Sequence, residues 1–163
     1  MNNRVVFPGT FDPITNGHRD LIERATRMFE LVIVAVAENK RKTPLFSLEE
    51  RVSMVRDVLS HLNNIEIFGF NNLLMDFARQ KNARAIIRGL RVVSDFEYEF
   101  QLANMNRRLN TEVETLLLIP SEQYAFVSSS LVKEVSALGG NVSSFVHETV
   151  ENLLRMRFGE RTS

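Results

Sequence analysis

The stretch Leu31-Val32-Ile33-Val34-Ala35-Val36-Ala37 is an unbroken run of apolar residues. A strand with one face in water alternates apolar and polar residues. A continuous run therefore indicates a strand covered on both faces, as in a parallel sheet. Leu116–Ile119 has the same character. Together with three shorter runs, these segments predict five strands: Arg4–Phe7, Leu31–Ala37, Ile65–Phe68, Ala85–Arg88 and Thr115–Ile119.

Helical patterns occupy the segments between these strands. Ser47-Leu48-Glu49-Glu50 has the sequence of a capping box, in which a serine caps a helix and a glutamate three residues later reaches back. Strands that alternate with helices predict an α/β fold: a single-domain, Rossmann-like, doubly wound five-stranded parallel sheet. We assign residues 1–163 to a single domain of this α/β type, with a C-terminal helical segment from about residue 128. In such sheets the ligand binds beyond the carboxyl ends of the strands.

The composition narrows the class of partner. The chain has 163 residues, and its 20 Lys and Arg balance its 20 Asp and Glu, whereas nucleic-acid binders usually carry a basic excess. It has no cysteine, which excludes disulfides and thiolate chemistry. The N-terminus lacks the long apolar stretch of a signal peptide, and no run reaches the roughly 18 apolar residues of a membrane span. We therefore expect a cytoplasmic protein with neither nucleic acid nor membrane as a partner.

The predicted helix Asp95–Leu109 carries two apolar stripes. Phe96, Phe100 and Ala103 cluster on one side at helical spacing, and Tyr98, Leu102, Met105 and Leu109 on nearly the opposite side. A helix with two apolar faces needs two partners. One is expected to be the sheet and the other a neighbouring subunit. The alternative is a helix buried deep within one domain.

The segment Gly9-Thr10-Phe11-Asp12-Pro13-Ile14-Thr15-Asn16-Gly17-His18 connects the first strand to the first helix. Its glycines are suited to tight turns and to close approach of a ligand. His18 falls at the start of the helix, where free N–H groups and the helix dipole favour anions. The same residues also fit a simple turn followed by a helix-start histidine. The P-loop and dinucleotide-binding patterns are both absent from the sequence.

Four sequence blocks together resemble a known family. Thr15-Asn16-Gly17-His18 matches the Thr/His-x-Gly-His signature of the nucleotidylyltransferase superfamily. With Ile87–Arg91, Asp95–Glu99 and Ser128–Glu134 in the same order, the chain resembles the bacterial phosphopantetheine adenylyltransferase family. The resemblance extends from Val6 to about Glu134.

The resemblance implies specific contacts for each substrate. It implies that ATP contacts Thr10, Phe11, His18, Gly89, Leu90, Arg91, Glu99, Tyr124, Ala125, Phe126, Val127, Ser128, Ser129 and Ser130. It implies that the acceptor contacts Thr10, Lys42, Leu74 and Arg88. We expect His18, Thr10, Lys42 and Arg91 to carry catalysis.

Three of these assignments also have simpler interpretations. Serines before a helix, as at Ser128–Ser130, are commonly caps. Leu74 has the spacing of a core residue. A charged loop such as the one around Lys42 is usually only solvated.

The activity that the resemblance implies is the reversible transfer of the adenylyl group of ATP to 4′-phosphopantetheine. The products are dephospho-coenzyme A and pyrophosphate. It implies Mg²⁺ carried with ATP, no metal site on the protein, and a homohexamer. The alternatives are a superfamily transferase that uses nicotinamide mononucleotide or a cytidine nucleotide, and a nucleotide-binding sensor without catalysis.

Overall fold

The computed structural model describes residues 3–159, which form five strands and six α-helices. Strands and helices alternate as far as the fifth strand, and the last two helices follow it. The strands are β1 Arg4–Gly9, β2 Leu31–Ala37, β3 Ile65–Phe70, β4 Ala85–Gly89 and β5 Glu114–Leu118. The helices are α1 Asn16–Met28, α2 Leu48–Val58, α3 Leu74–Gln80, α4 Val93–Leu109, α5 Ser129–Ala137 and α6 Glu148–Phe158. Each predicted strand is present, within two residues of its expected ends.

The five strands form one parallel sheet in the order β3-β2-β1-β4-β5. Phe7 of β1 is in register with Val34 of β2, and Val5 of β1 with Ala85 of β4. The continuous apolar run of β2 is explained by its position, because a strand with a neighbour on each side and helices above and below buries both faces. The predicted Rossmann-like α/β fold is therefore confirmed.

Two apolar cores cover the two faces of the sheet. Alternate residues of the central strands, such as Val34 and Val36, pack with α1, α2, α5 and α6 on one face. The intervening residues, such as Ile33 and Ala35, pack with α3 on the other face. Ser47 caps α2 in the predicted capping box, with Glu50 reaching back to the Ser47 amide. No helix among residues 3–159 is long and apolar enough to span a membrane.

Helix α4 packs differently from the prediction. The residues that it buries are the polar Glu99 and Asn106, and it lies against β5. Both apolar stripes flank this buried line, and most of their residues are exposed: Phe100 is 56% and Tyr98 is 62% exposed, whereas Leu102 and Ala103 are half-buried. The expectation that one stripe faces the sheet is therefore wrong, and so is the alternative of a helix buried deep in the domain. The periodicity identified two apolar faces but not the polar line between them that packs inward.

Candidate active site

A cavity of about 720 Å³ lies at the carboxyl ends of the strands. Its wall is built from the residues that end β1, β2 and β4 and from the segments that follow them, as expected for a doubly wound sheet. The predicted site residues in its wall are Thr10, Phe11, His18, Lys42, Leu74, Arg88, Gly89, Arg91, Glu99, Tyr124, Val127, Ser128, Ser129 and Ser130. The structure thus brings together residues from five separate segments of the chain.

Three of the predicted ATP contacts lie outside this wall. The Leu90 amide donates a hydrogen bond to the Leu118 carbonyl at 2.8 Å, so that this amide is occupied in the sheet. The Phe126 ring packs edge-on against Phe145, and Ala125 continues the short helical turn before it. The side chains that reach the cavity from this part of the chain are those of Tyr124 and Val127.

His18 is held in one orientation by the start of helix α1. The Thr15 amide donates a hydrogen bond to His18 Nδ1 at 3.0 Å, and the Thr15 hydroxyl lies 3.2 Å from the same atom. Because a backbone N–H can only donate, Nδ1 must accept, and the proton of the neutral ring is on Nε2. The Phe11 ring packs edge-on against the imidazole at 5.0 Å. His18 therefore presents a fixed N–H donor rather than a free base.

The surroundings of His18 also keep its ring neutral. Burial, together with the positive charges of Arg91 and Arg88, lowers the pKa of His18 from its ordinary 6.5 to about 4. Near neutral pH the ring is therefore uncharged. A neutral ring with its proton on Nε2 can donate a hydrogen bond to a phosphate oxygen, but it is poorly suited to act as a general acid.

The glycines of the first loop line the cavity without a left-handed backbone. Neither Gly9 nor Gly17 has a positive φ, and the left-handed residue of this turn is Phe11, at φ 50°. A Cβ at position 9 would lie 3.0 Å from the Phe11 ring. Gly9 thus leaves room for Phe11, which folds back over it and packs against His18.

Arg88 is fixed by a buried carboxylate. Its Nε and Nη2 each donate to an oxygen of Glu99 at 2.9 Å, which forms a bidentate pair. The Glu99 side chain is 8% exposed. Glu99 lines the cavity, but both of its oxygens are used by Arg88. Arg88 Nη1 has no hydrogen-bond partner among residues 3–159 and is therefore available to an anion.

Arg91 is held in a similar but more exposed way. Its Nε donates to Asp95 at 3.3 Å, and its Nη1 donates to the Val127 carbonyl at 3.4 Å. Asp95 also accepts from the Arg91 amide at the start of α4. Arg91 therefore bridges the end of β4 and the segment before α5, and it lies close enough to His18 to influence its pKa.

Lys42 lies opposite these arginines, on an exposed segment after β2. It ends a short 3₁₀ turn, Lys40–Lys42, and its side chain lines the cavity. It makes no ion pair among the residues that the structure describes. Next to it, the Asn39 side chain donates to the Thr10 hydroxyl at 3.2 Å, which connects this segment to the first loop.

The serine run before α5 caps this helix and also lines the cavity. Ser128 Oγ accepts from the Leu131 amide at 3.1 Å and so caps α5. Ser129 Oγ donates to the Pro13 carbonyl at 2.7 Å, which attaches the helix to the first loop. All three serines line the cavity, so the start of α5 is open to an anionic ligand.

Sequence reasoning missed the pair formed by Asp12 and Lys133. Lys133 Nζ lies 2.8 Å from Asp12 and lines the cavity. Asp12 also accepts hydrogen bonds from the Leu45 and Phe46 amides. Burial would raise the pKa of Asp12, but these bonds and the Lys133 charge lower it overall. The sequence contained one clue to this pair: Lys133 lies on the helix that Ser128 caps, within two turns of the cap.

The carboxylates around the cavity are occupied by cations of the protein. Asp12 pairs with Lys133, Asp95 with Arg91, and Glu99 with Arg88. Within residues 3–159, no group of three or more His, Asp or Glu side chains could hold a metal ion.

Comparisons with known proteins agree with this arrangement. One solved structure, of a protein described as a nicotinate-nucleotide adenylyltransferase from Vibrio parahaemolyticus, superposes with a TM-score of 0.67 at 18% identity. The match covers 94% of this chain and 99% of that one, and it shows a shared fold. The cytidylyltransferase-like family model matches residues 6–135, which include the first loop, the β4 arginines and the start of α5. The chain therefore belongs to the cytidylyltransferase-like family of nucleotidylyltransferases.

Proposed function

We propose that this nucleotidylyltransferase transfers the adenylyl group of ATP to 4′-phosphopantetheine, giving dephospho-coenzyme A and pyrophosphate. One observation carries the proposal. His18, Arg88 and Arg91 line one cavity, where each is held by a neighbouring group and presents a donor to an anion. The sequence blocks around Arg88 and Ser128 add the family resemblance.

The reaction needs orientation and charge stabilisation more than it needs acid–base chemistry. An oxygen of the acceptor's phosphate forms a bond to the α-phosphorus of ATP, and the bond from that phosphorus to the bridging oxygen of the β-phosphate breaks. The leaving group is pyrophosphate. The attacking phosphate is already an anion near neutral pH, so that no protein base or nucleophile is required. Fixed donors that meet the developing charge suit this chemistry.

Each catalytic side chain has a role that its surroundings support. The His18 Nε2–H and the Thr10 hydroxyl donate to the α-phosphoryl oxygens as this phosphorus becomes five-coordinate. Arg91 and Lys42 face the phosphates from two sides and offset their charge. The low pKa of His18 supports a neutral donor. A histidine that was charged in the free enzyme would argue for acid catalysis instead.

The acceptor side of the proposal rests on a cation beside an apolar surface. Arg88, with its free Nη1, is assigned to the acceptor's phosphate. Leu74, at the start of α3, and Phe70, at the end of β3, line the same cavity. A phosphate attached to an extended and partly apolar arm matches this combination. Mg²⁺ carried by ATP would supply positive charge to the departing pyrophosphate.

A pyrophosphate-release assay tests the proposal directly. The purified protein is given ATP and Mg²⁺ with one acceptor at a time: 4′-phosphopantetheine, nicotinate mononucleotide or nicotinamide mononucleotide. A parallel series replaces ATP with CTP. The expected result is release with ATP and 4′-phosphopantetheine, with dephospho-coenzyme A identified by mass. Calorimetric ATP binding with no release from any pair would instead favour a sensor.

A nicotinate nucleotide acceptor is the second candidate. The solved structure from Vibrio parahaemolyticus favours it, because that protein is described by this activity and shares the fold. At 18% identity the match shows a shared fold and does not identify the acceptor of this chain. Release that is faster with nicotinate mononucleotide than with 4′-phosphopantetheine would support this candidate and contradict the first.

The resemblance also leads us to propose a homohexamer in the cytoplasm. The exposed apolar stripes of α4 support self-association, and exposed Leu116 and Ile119 extend this surface along β5. The number six comes from the resemblance. Light scattering is expected to give a mass about six times the 18.7 kDa of one chain. A monomer at working concentration would contradict the proposal.

A further inference from the structure

Arg51 of helix α2 is a buried guanidinium whose partners are main-chain carbonyl groups. The residue is 1% exposed. Its side chain donates to the carbonyls of Phe46 at 3.0 Å, Thr10 at 2.8 Å, Ala37 at 2.6 Å and Glu38 at 3.1 Å. Four of the five guanidinium N–H groups are thereby used. Burying this charge costs desolvation energy, which the hydrogen bonds to the four carbonyls offset.

The four carbonyls lie around the part of the cavity wall that carries Lys42. Residues 39–45, here called the Lys42 segment, carry Lys42 between the end of β2 and the start of α2. Arg51 binds the two residues before this segment and the residue after it. It also binds the carbonyl of Thr10, which lies in the first loop. One side chain therefore fixes the distance between Thr10 and the Lys42 segment.

The segment needs such an anchor because its own backbone is strained. Asn39 and Thr43 both have left-handed backbones, with φ of 48° and 40°. This region is unfavourable for a β-branched residue such as Thr43, and it persists when the surrounding structure imposes it. Asp12 supplies the second anchor, because its two oxygens accept from the Leu45 and Phe46 amides. The middle of the segment remains exposed.

We propose that Arg51 is a positioning residue, which holds Thr10 and the Lys42 segment at the separation that the phosphoryl transfer requires. Arg51 does not contact the substrates. Its effect on the rate passes chiefly through Lys42, whose distance from Thr10 it sets. Lysine at this position keeps the charge but cannot bind four carbonyls at once, since it has one small ammonium group in place of a planar fork. The catalytic part of this inference rests on the proposed function.

The first test does not depend on activity. The Lys42 segment contains three trypsin sites, at Lys40, Arg41 and Lys42. The intact protein is digested without ligand, and the rate of cleavage at these sites is measured. Arg51→Lys is expected to raise this rate about tenfold, because the segment opens more often. Asn64→Ala is the matched control. The Asn64 side chain also donates to two main-chain carbonyls, those of Thr26 and Phe29, but these lie at the opposite end of the sheet.

The second test measures coupling with Lys42. Arg51→Lys is expected to lower kcat by up to about 10²-fold, as a small misplacement of catalytic groups does. In a Lys42→Ala background most of that loss disappears, whereas the cost of Asn64→Ala adds to that of Lys42→Ala within about twofold. If Arg51→Lys does not fold, Asp12→Asn replaces it, because it weakens the second anchor with little change of shape.

The two tests separate the possible failures. Cleavage no faster than in Asn64→Ala would overturn the proposal, and so would a loss of kcat that is unchanged when Lys42 is absent. Faster cleavage with a loss of kcat that depends on Lys42 supports it. If the wild-type protein releases no pyrophosphate from any substrate pair, the proposed function fails. The rate of cleavage then still decides whether Arg51 holds the segment.

Discussion

The two sides of the cavity hold their cationic and donor groups in different ways. On one side, here called the fixed wall, His18 is held by Thr15, Arg88 by Glu99 and Arg91 by Asp95. On the other side, Lys42 is exposed and makes no ion pair within residues 3–159. The fixed wall has already lost its side-chain freedom on folding, so it presents one geometry to a phosphate. Arg51 and Asp12 hold the backbone at the two ends of the Lys42 segment, but the exposed Lys42 side chain itself keeps its freedom to adjust to a bound phosphate.

Removing the fixed donor is expected to have the largest effect. His18→Ala should lower kcat about 10²–10³-fold, the usual cost of losing one preorganised donor to a transition-state oxygen. The dissociation constant of ATP should change little, because the serine run and Arg91 remain. The measurements are steady-state kinetics and calorimetry with ATP. His61→Ala is the control, since His61 is an exposed histidine that contacts Glu23 away from the cavity. Near-normal turnover of His18→Ala would remove His18 from the mechanism.

The neutral state of His18 also predicts how stability depends on pH. Its pKa is about 4 in the folded protein and near 6.5 when unfolded, so the folded state binds fewer protons between these values. The free energy of unfolding should therefore fall as the pH drops from about 6.5 to 4. Between pH 7.5 and 5 this group should account for about 2 kcal/mol.

Urea denaturation of the wild type and of His18→Gln at these two pH values isolates this effect. Other groups, such as Asp12 with its lowered pKa, are present in both proteins and cancel in the difference. The wild type should lose more stability than the variant on acidification. Equal losses would mean that the fixed wall does not keep the histidine neutral.

Changing the cation in the fixed wall is expected to have a smaller effect. Arg88→Lys keeps the charge but cannot form the bidentate pair with Glu99 and also present a free N–H. The KM for the acceptor should rise about tenfold, the cost of one charge-assisted hydrogen bond. Arg79→Lys is the control, because Arg79 forms an exposed ion pair with Asp76 away from the cavity. If both variants keep the wild-type KM, the arginine geometry is unimportant.

The sequence was sufficient for the elements that local pattern determines. Strand β2 was predicted because burial on both faces leaves a continuous apolar run, Leu31–Ala37. The similar run Leu116–Ile119 did predict a strand, but the expectation that both of its faces are covered is wrong, because β5 is an edge strand and Leu116 and Ile119 are exposed. The first loop and the serine run were found because their position beside a strand or helix end has a chemical meaning. The α4 stripes were detected but misassigned, since periodicity does not reveal that polar Glu99 and Asn106 line the packed face.

The supporting contacts could not be predicted in the same way. Asp12 and Lys133 are 121 positions apart, and Arg51 lies 41 positions from Thr10. No local signal connects such residues, because the sheet topology brings them together. Arg51 looks like any charged helical residue until its four carbonyl partners are seen. The residues that line the cavity were therefore largely accessible from sequence, but the manner in which each is held was not.

The smallest expected effect is on the exposed side of the cavity. Lys42→Arg should keep kcat and both KM values within about threefold, because the middle of the Lys42 segment is open to solvent and can accommodate a longer cation. Lys42→Met, which removes the charge, should lower kcat well beyond that range. The same steady-state assay measures both variants beside Arg88→Lys. A tolerant Lys42 and an intolerant Arg88 would establish that the two sides differ in rigidity and not only in residue type. If Lys42→Arg is as damaging as Arg88→Lys, the lysine is held as tightly as the arginine once substrates are bound. The segment must then become ordered around the phosphates.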